Sequence, residues 1–183
     1  MKRISIRLVF TFLLVSYSLL FSSCMLISKT SESSTTTTYQ SREGQKETFY
    51  EITYFVPADW TDKSVQGDTV YYYPEDAMVM IMVSDVDPNT KLDYETAGQI
   101  VTGMSSEMDS LEVKSISSFD MNISDNAFKI DWTATHNQTD IRSVTVVFIY
   151  GSYFYSMHYC NFDNKLTPEF DEFEKIVKDV EIH

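Results

Sequence analysis

The chain has 183 residues, of which 43% are hydrophobic, 14% aromatic and 22% charged. This composition is typical of a globular protein and excludes general disorder. The whole chain has a net charge of −13, and residues 48 to 183 carry 24 acidic and eight basic side chains, a net charge of −16. Such an acidic segment repels phosphate backbones and has no basic stripe, so we expect no nucleic-acid partner.

The amino terminus has the pattern of an export signal. Three basic residues, Lys2, Arg3 and Arg7, precede an apolar run over residues 8 to 21. This run is shorter than the roughly 20 residues of a transmembrane helix. The sequence Phe21-Ser22-Ser23-Cys24 follows it and resembles the lipobox of bacterial lipoproteins.

The lipobox resemblance implies a lipoprotein signal peptide at residues 1–23, cleavage before Cys24 and attachment of a diacylglyceryl group to its thiol. Two acyl chains are enough for stable anchoring, so the resemblance implies a lipid-anchored protein on the extracytoplasmic face of a cell membrane. The alternative is an ordinary secretory signal with an incidental cysteine.

The second cysteine, Cys160, follows an apolar run. If Cys24 is lipidated, no intramolecular disulfide can form, and we expect the Cys160 thiol to be buried in the core. The alternative is a Cys24–Cys160 disulfide in a form that is not lipidated.

Residues 24–47 are rich in Ser and Thr, with four consecutive threonines at residues 35–38. Such a segment cannot bury enough apolar surface to order itself, so it is predicted to be a disordered tether. Residues 48–183 are then left to form one domain.

The first half of this domain is predicted to contain three strands. Runs of β-branched and aromatic residues indicate strands at 49–56, 70–73 and 77–83. The third run is apolar in both of its alternating sets, so we expect a central strand that is covered on both faces.

The second half is predicted to contain a meander of four strands, at residues 111–121, 126–136, 140–150 and 153–160. The last two strands form a hairpin across Gly151-Ser152, where glycine in the first position favours a type II′ turn. This register pairs Tyr150 with Tyr153, and it puts His158 and Cys160 together on the opposite face.

Two helices are predicted from apolar residues that recur every three or four positions. The first helix has Asp93 as its N-cap and the apolar stripe Tyr94, Ala97, Val101, Met104 and Met108. The second has Thr167 as its cap, Pro168 in its first position and the stripe Phe170, Phe173, Ile176, Val177 and Val180.

The order of these elements resembles the PsbP-like fold, as does the apolar-Pro-x-x-Trp motif at Val56 to Trp60. That superfamily includes the extrinsic photosystem II protein, a eukaryotic Ran-binding import factor and many bacterial lipoproteins. The resemblance implies an α+β domain in which helices flank an antiparallel sheet of six to seven strands. It implies no site residues, because the superfamily shares no catalytic motif.

Sulfur and imidazole groups form two candidate sites. His158 and Cys160 could bind one metal ion, or the imidazole could activate the thiol. Met78, Met80 and Met82 share a strand face and could hold Cu(I). In both sets the alternative is packing in the core, where methionine and cysteine fill gaps.

Asp85, Asp87 and Asn89 have the spacing that opens a calcium-binding loop. However, Thr90 replaces the glycine that such loops need, and Thr96 stands in place of the bidentate glutamate. The segment is therefore either a weak cation site or an Asp-rich turn before the helix.

Three consecutive tyrosines, Tyr71 to Tyr73, must direct at least one ring outward and could line a groove for a glycan or a peptide, although tyrosine is also a common strand residue. The sequence has no glycine-rich phosphate loop and no HExxH motif. We therefore expect no catalysis and no cofactor, but a binding module whose partner is an envelope protein or a glycan. The alternative is a metal-handling protein or an enzyme that uses His158 and Cys160 or Asp85 and Asp87.

Overall fold

The computed structural model describes residues 43–62, 69–73, 77–87, 90–103, 108–162 and 168–183. The predicted signal peptide, Cys24 and the tether up to residue 42 lie outside these ranges, as do Asn89, Met104 and Thr167. Over the ranges that are described, no helix combines the length and the hydropathy needed to cross a membrane.

The described residues contain ten strands and two helices. In chain order these are β1 (Gly44–Phe49), β2 (Ile52–Pro57), β3 (Thr61–Asp62), β4 (Thr69–Tyr73), β5 (Ala77–Asp85), α1 (Tyr94–Thr102), β6 (Ser110–Ser118), β7 (Ala127–His136), β8 (Thr139–Tyr150), β9 (Tyr153–Asn161), α2 (Pro168–Lys178) and β10 (Glu181–Ile182).

The strands form one large and one small antiparallel sheet. The large sheet has seven strands in the order β3-β4-β5-β9-β8-β7-β6, and the small sheet has the order β1-β2-β10. Strand β5 lies between β4 and β9, and its residues from Ala77 to Val83 are all buried. The predicted α+β architecture and the predicted central strand are therefore confirmed.

The large sheet separates two hydrophobic cores, because residues that alternate along a strand point to opposite faces. On one face, Met78, Met80 and Met82 pack in a core with Ala97 and Val101 of α1. On the other face, the core contains Val79, Ile81 and Val83 of β5, together with Phe173 and Val177 of α2 and residues of the small sheet such as Ile52.

The predicted hairpin is confirmed residue by residue, since Tyr150 pairs with Tyr153 and Phe148 with Tyr155. Gly151 has a φ angle of 58°, as the first position of a type II′ turn requires. A second tight turn joins β7 to β8 at the opposite end of the sheet. There Asn137 and Gln138 both have positive φ angles, of 49° and 67°.

Helix α1 begins where the sequence predicts it. The Asp93 carboxylate accepts a hydrogen bond of 2.8 Å from the Thr96 backbone N–H, and this bond holds the pKa of Asp93 below its usual value. The helix ends at Thr102, so the predicted stripe is too long, and Met108 is buried beyond the helix end. Gly98 and Gly103 explain the short helix, because glycine is a poor helix former.

The sequence prediction for the start of the domain is wrong in two respects. The predicted strand 49–56 is two strands, since Phe49 pairs with Ile52 across a turn at Tyr50 and Glu51. Strand β1 also begins at Gly44, inside the segment predicted as tether. Most of β1 is exposed and polar, so its composition resembles that of the tether. Its backbone pairing with β2 holds it in place.

Candidate functional site

Four polar side chains form a buried row, which we call the polar chain: Trp132, Thr145, His158 and Ser156. The Trp132 indole Nε1–H donates to Thr145 Oγ1 at 2.9 Å, and Thr145 Oγ1 lies 2.8 Å from His158 Nδ1. His158 Nε2 lies 3.1 Å from Ser156 Oγ. Each of the four side chains is at most 1% exposed.

The donors in the polar chain fix the tautomer of His158. An indole N–H can only donate, so Thr145 Oγ1 accepts from Trp132, and of the two partners of this hydroxyl only His158 Nδ1 can accept its proton. His158 therefore carries its proton on Nε2 and donates it to Ser156. Burial lowers the pKa of His158 to about 3, so the ring is neutral at physiological pH.

The Cys160 thiol is part of the same buried face. It lies 3.2 Å from Ser143 Oγ, whose hydroxyl donates to the Tyr159 carbonyl oxygen at 2.7 Å. The single Ser143 proton is therefore engaged, which leaves Ser143 Oγ able to accept from the Cys160 thiol. Cys160 is 1% exposed, so the predicted burial of this thiol is confirmed.

Pairing between β5 and β9 brings the two predicted sulfur sets together. Met78 is the partner of Cys160, and Met80 is the partner of His158. Sequence reasoning treated the two sets separately, because only the register between distant strands reveals that they are neighbours. Both ring nitrogens of His158 are already hydrogen-bonded, so the arrangement supports packing rather than metal ligation.

The predicted cation site at Asp85 and Asp87 lies on the surface. Both residues are exposed, and the Thr90 N–H donates to the Asp87 carbonyl oxygen at 2.8 Å. Among the described residues, no three His, Cys, Asp or Glu side chains are grouped as a metal site. Because Asn89 lies outside the described residues, a cation site here stays a prediction.

One of the tyrosines predicted to line a groove is buried. Tyr72 is 4% exposed, and its hydroxyl lies 2.9 Å from that of Tyr54. Burial raises the pKa of both phenols, so both are neutral. The contact between their hydroxyls joins the small sheet, which contains Tyr54, to the large sheet, which contains Tyr72.

An aromatic surface does occur, but at another place. Tyr50, Glu51, Tyr150, Tyr153 and Tyr155 lie where the β1–β2 and β8–β9 turns meet, and we call this surface the tyrosine tip. The ring centroids of Tyr50 and Tyr153 are 5.1 Å apart, and those of Tyr153 and Tyr155 are 6.2 Å apart. The Glu51 backbone N–H donates to the Tyr155 hydroxyl at 3.2 Å, which joins the two turns.

Tyr50 is the most unusual residue of the tyrosine tip. Its φ angle is 56°, in the left-handed region that aromatic residues rarely adopt, and its side chain is 42% exposed. Such a conformation costs on the order of 1–3 kcal/mol and persists only where the surrounding structure enforces it.

The other members of the tyrosine tip are packed more tightly. Tyr155 is fully buried, and burial raises the pKa of its hydroxyl to about 12, so the ring stays neutral. The Glu51 carboxylate lies against the β8–β9 turn at Gly151. A rigid, partly acidic aromatic surface results.

Sequence reasoning missed the tyrosine tip, although a signal was present. Ile52, Tyr54 and Val56 are buried in strict alternation, but Phe49 is also buried, three positions before Ile52. A spacing of three breaks the strand period of two, which indicates a turn between them. The exposed Tyr50 lies in that turn.

The α+β fold of this chain matches the PsbP-like fold. The chain is similar to the solution structure of cyanobacterial PsbP (CyanoP) from Synechocystis sp. PCC 6803, with a TM-score of 0.63 and 9% sequence identity. The match covers 82% of this chain and 98% of CyanoP. At this identity the similarity shows the fold alone.

Two further solved structures are more distant. PA94, a protein of unknown function from Pseudomonas aeruginosa, has a TM-score of 0.43 and 10% identity over 72% of this chain and 88% of its own. LpqN, which is involved in cell envelope biogenesis of Mycobacterium tuberculosis, has a TM-score of 0.41 and 14% identity. That match covers 76% of this chain and 90% of LpqN. No family model and no curated protein matches the sequence.

Proposed function

We propose that this protein is a lipid-anchored, extracytoplasmic binding module without catalytic activity, and that the tyrosine tip is its binding surface. The observation that carries this proposal is the exposed Tyr50 ring, held at a φ angle of 56°. Strained residues cluster at active sites, ligand clamps and switch regions, so a strained and exposed ring marks a functional surface.

The distribution of the reactive groups also favours binding over catalysis. His158 and Cys160 are buried and hydrogen-bonded inside the sheet, so a substrate could reach them only if the sheet opened. The exposed Asp85 belongs to the surroundings of the tyrosine tip, because it is the β-strand partner of Tyr153.

The lipobox-like sequence before Cys24 supports the location. The first described strand begins at Gly44, so residues 25 to 43 would connect the lipidated cysteine to the domain. Fully extended, a segment of that length spans roughly 60 Å, which is enough to hold a binding domain clear of the membrane surface.

The anchor is tested by the Cys24→Ala variant of the full chain, expressed in a bacterial host. The wild type should incorporate an alkyne-labelled fatty acid and fractionate with membranes, whereas Cys24→Ala should lose the label and leave the membrane fraction. Cys160→Ala is the matched control and should keep both properties. An unlabelled wild type, or a Cys24→Ala variant that stays labelled, would contradict the anchor.

The binding surface is tested by a photo-cross-linking residue placed at Tyr50 or, as the control, at Gln138. Gln138 is also exposed and lies in a tight turn with a positive φ angle, but at the opposite end of the sheet. In intact cells, Tyr50 should give a discrete adduct that Gln138 does not give. Equal adducts from both positions, or none from Tyr50, would refute the role of the tyrosine tip.

A further inference from the structure

The surroundings of the tyrosine tip are acidic as well as aromatic. Glu51 belongs to the tyrosine tip, and Asp85 lies beside Tyr153 on the neighbouring strand. The Val86 N–H donates to the Ser152 carbonyl oxygen at 2.9 Å, which holds Asp85 and the exposed Asp87 next to the β8–β9 turn. The acidic residues Glu51 and Asp85 therefore lie next to tyrosines of the tip, Glu51 beside Tyr50 in the chain and Asp85 opposite Tyr153 in the sheet.

The basic side chains of the described residues are largely engaged elsewhere. Four of them form ion pairs with carboxylates outside the tyrosine tip, namely Lys46 with Glu181, Lys114 with Glu112, Lys129 with Glu174, and Arg142 with Asp131. Lys178 lies over the Phe119 ring, 5.7 Å from its centroid. Residues 48 to 183 together have a net charge of −16, so the domain that carries the tyrosine tip is strongly acidic.

We propose that the tyrosine tip docks a cationic segment of a partner protein, one that presents arginine or lysine side chains. This inference rests on the proposed function and adds the chemistry of the partner. An arginine guanidinium can stack on the exposed face of Tyr50 and bond the neighbouring Glu51 carboxylate with its planar fork of N–H donors.

Charge also decides against other occupants. A second copy of this chain carries the same negative charge, and so does the surface of an anionic membrane, so both are repelled. A neutral glycan could stack on the Tyr50 ring and donate its hydroxyl protons to the carboxylates, but it carries no positive charge to offset theirs. A cationic peptide uses both features of the surface, and its association would weaken as salt is added.

The test uses the purified, intact mature chain, which contains the domain at residues 43 to 183. Fluorescence anisotropy measures the binding of a short Arg-Ser repeat peptide to this chain. The comparison probes are a Glu-Ser repeat of the same length, a neutral glucan oligosaccharide and phosphatidylglycerol vesicles. We expect binding of the Arg-Ser peptide only, with an affinity that falls as salt rises. Preferential binding of the oligosaccharide or the vesicles would overturn the proposal, as would no binding of the Arg-Ser peptide.

Variants locate the binding. Tyr50→Gly should weaken peptide affinity about fivefold while the domain stays folded, because the relief of strain at a positive φ angle offsets part of the lost ring contacts with Phe49 and Tyr153. The double change Glu51→Gln and Asp85→Asn should weaken it about tenfold and reduce its salt dependence. Asp140→Asn is the matched control, since it removes an exposed carboxylate beside the opposite turn, and it should change affinity by less than about twofold.

Equal losses in Asp140→Asn and in the variants of the tyrosine tip would mean nonspecific attraction by the whole acidic domain, which would overturn the proposal. Failure of this peptide test can be distinguished from failure of the cross-linking test. If Tyr50 gives its adduct in cells but the Arg-Ser peptide does not bind, then the tyrosine tip binds a partner of another chemistry. If no adduct forms, then the proposed function itself fails.

Discussion

Replacing Thr145 with valine should destabilise the domain by about 2–5 kcal/mol, although the two side chains have nearly the same shape. Thr145 Oγ1 accepts from the Trp132 indole and donates to His158, and all three side chains are fully buried. Without the hydroxyl, a buried donor and a buried acceptor both lose their partners, at about 1–3 kcal/mol each. Urea denaturation of the wild type and the variant measures the difference.

Thr135→Val is the matched control for this change. Thr135 lies on β7 and donates to Asp140 at 3.0 Å, but both groups are accessible to water, which can replace the lost bond. Its expected cost is below about 1 kcal/mol. A second variant, Trp132→Phe combined with Thr145→Val, removes the stranded indole donor and should cost less than the two single changes added together. Similar losses for Thr145→Val and Thr135→Val would disprove the importance of the polar chain.

The free energy of unfolding should fall with pH below about 6.5, because the His158 ring resists protonation in the folded state. In the unfolded chain a histidine has a pKa of about 6.5, whereas burial lowers the pKa of His158 to about 3 in the folded domain. Between these values the unfolded state binds more protons. The contribution of His158 is therefore fully present above pH 6.5 and is lost as the pH falls toward 3, at about 1 kcal/mol for every pH unit.

The cleanest window for this measurement lies between about pH 6.5 and pH 5, above the range in which most carboxylates are protonated. The variant His158→Gln keeps a polar side chain that can bond Thr145 and Ser156 but cannot take up a proton. It should be less stable than the wild type at neutral pH, yet show a smaller slope across this window. Parallel slopes for the two proteins would show that His158 is not the group responsible.

The fold could be predicted where strong periodicity and turn residues agree. The β8–β9 hairpin is an example, since alternation on both strands and Gly151 together fix its register, and the structure confirms each pair. The N-cap at Asp93 and the proline that begins α2 are equally local signals. In these cases the sequence within a few residues determines the structure.

The candidate site could not be predicted in the same way, because it depends on contacts between distant segments. Tyr50 and Tyr153 are about a hundred positions apart, and nothing near either residue indicates that their rings meet. The sequence did not predict strand β1 for another reason. This strand is stabilised by backbone pairing with β2 rather than by an apolar pattern of its own. The Met78 and Cys160 pairing likewise follows only from the order of strands in the large sheet.

The two ends of β1 carry different features of the domain. The chain enters this strand at Gly44 and leaves it at Phe49, directly before Tyr50, so the entry point and the tyrosine rings lie at opposite ends of the strand. A strand of this length separates its ends by about 20 Å. A pulling force on the chain ahead of Gly44 would act along the axis of β1. It would turn the domain so that the tyrosine tip faces away from the direction of the pull.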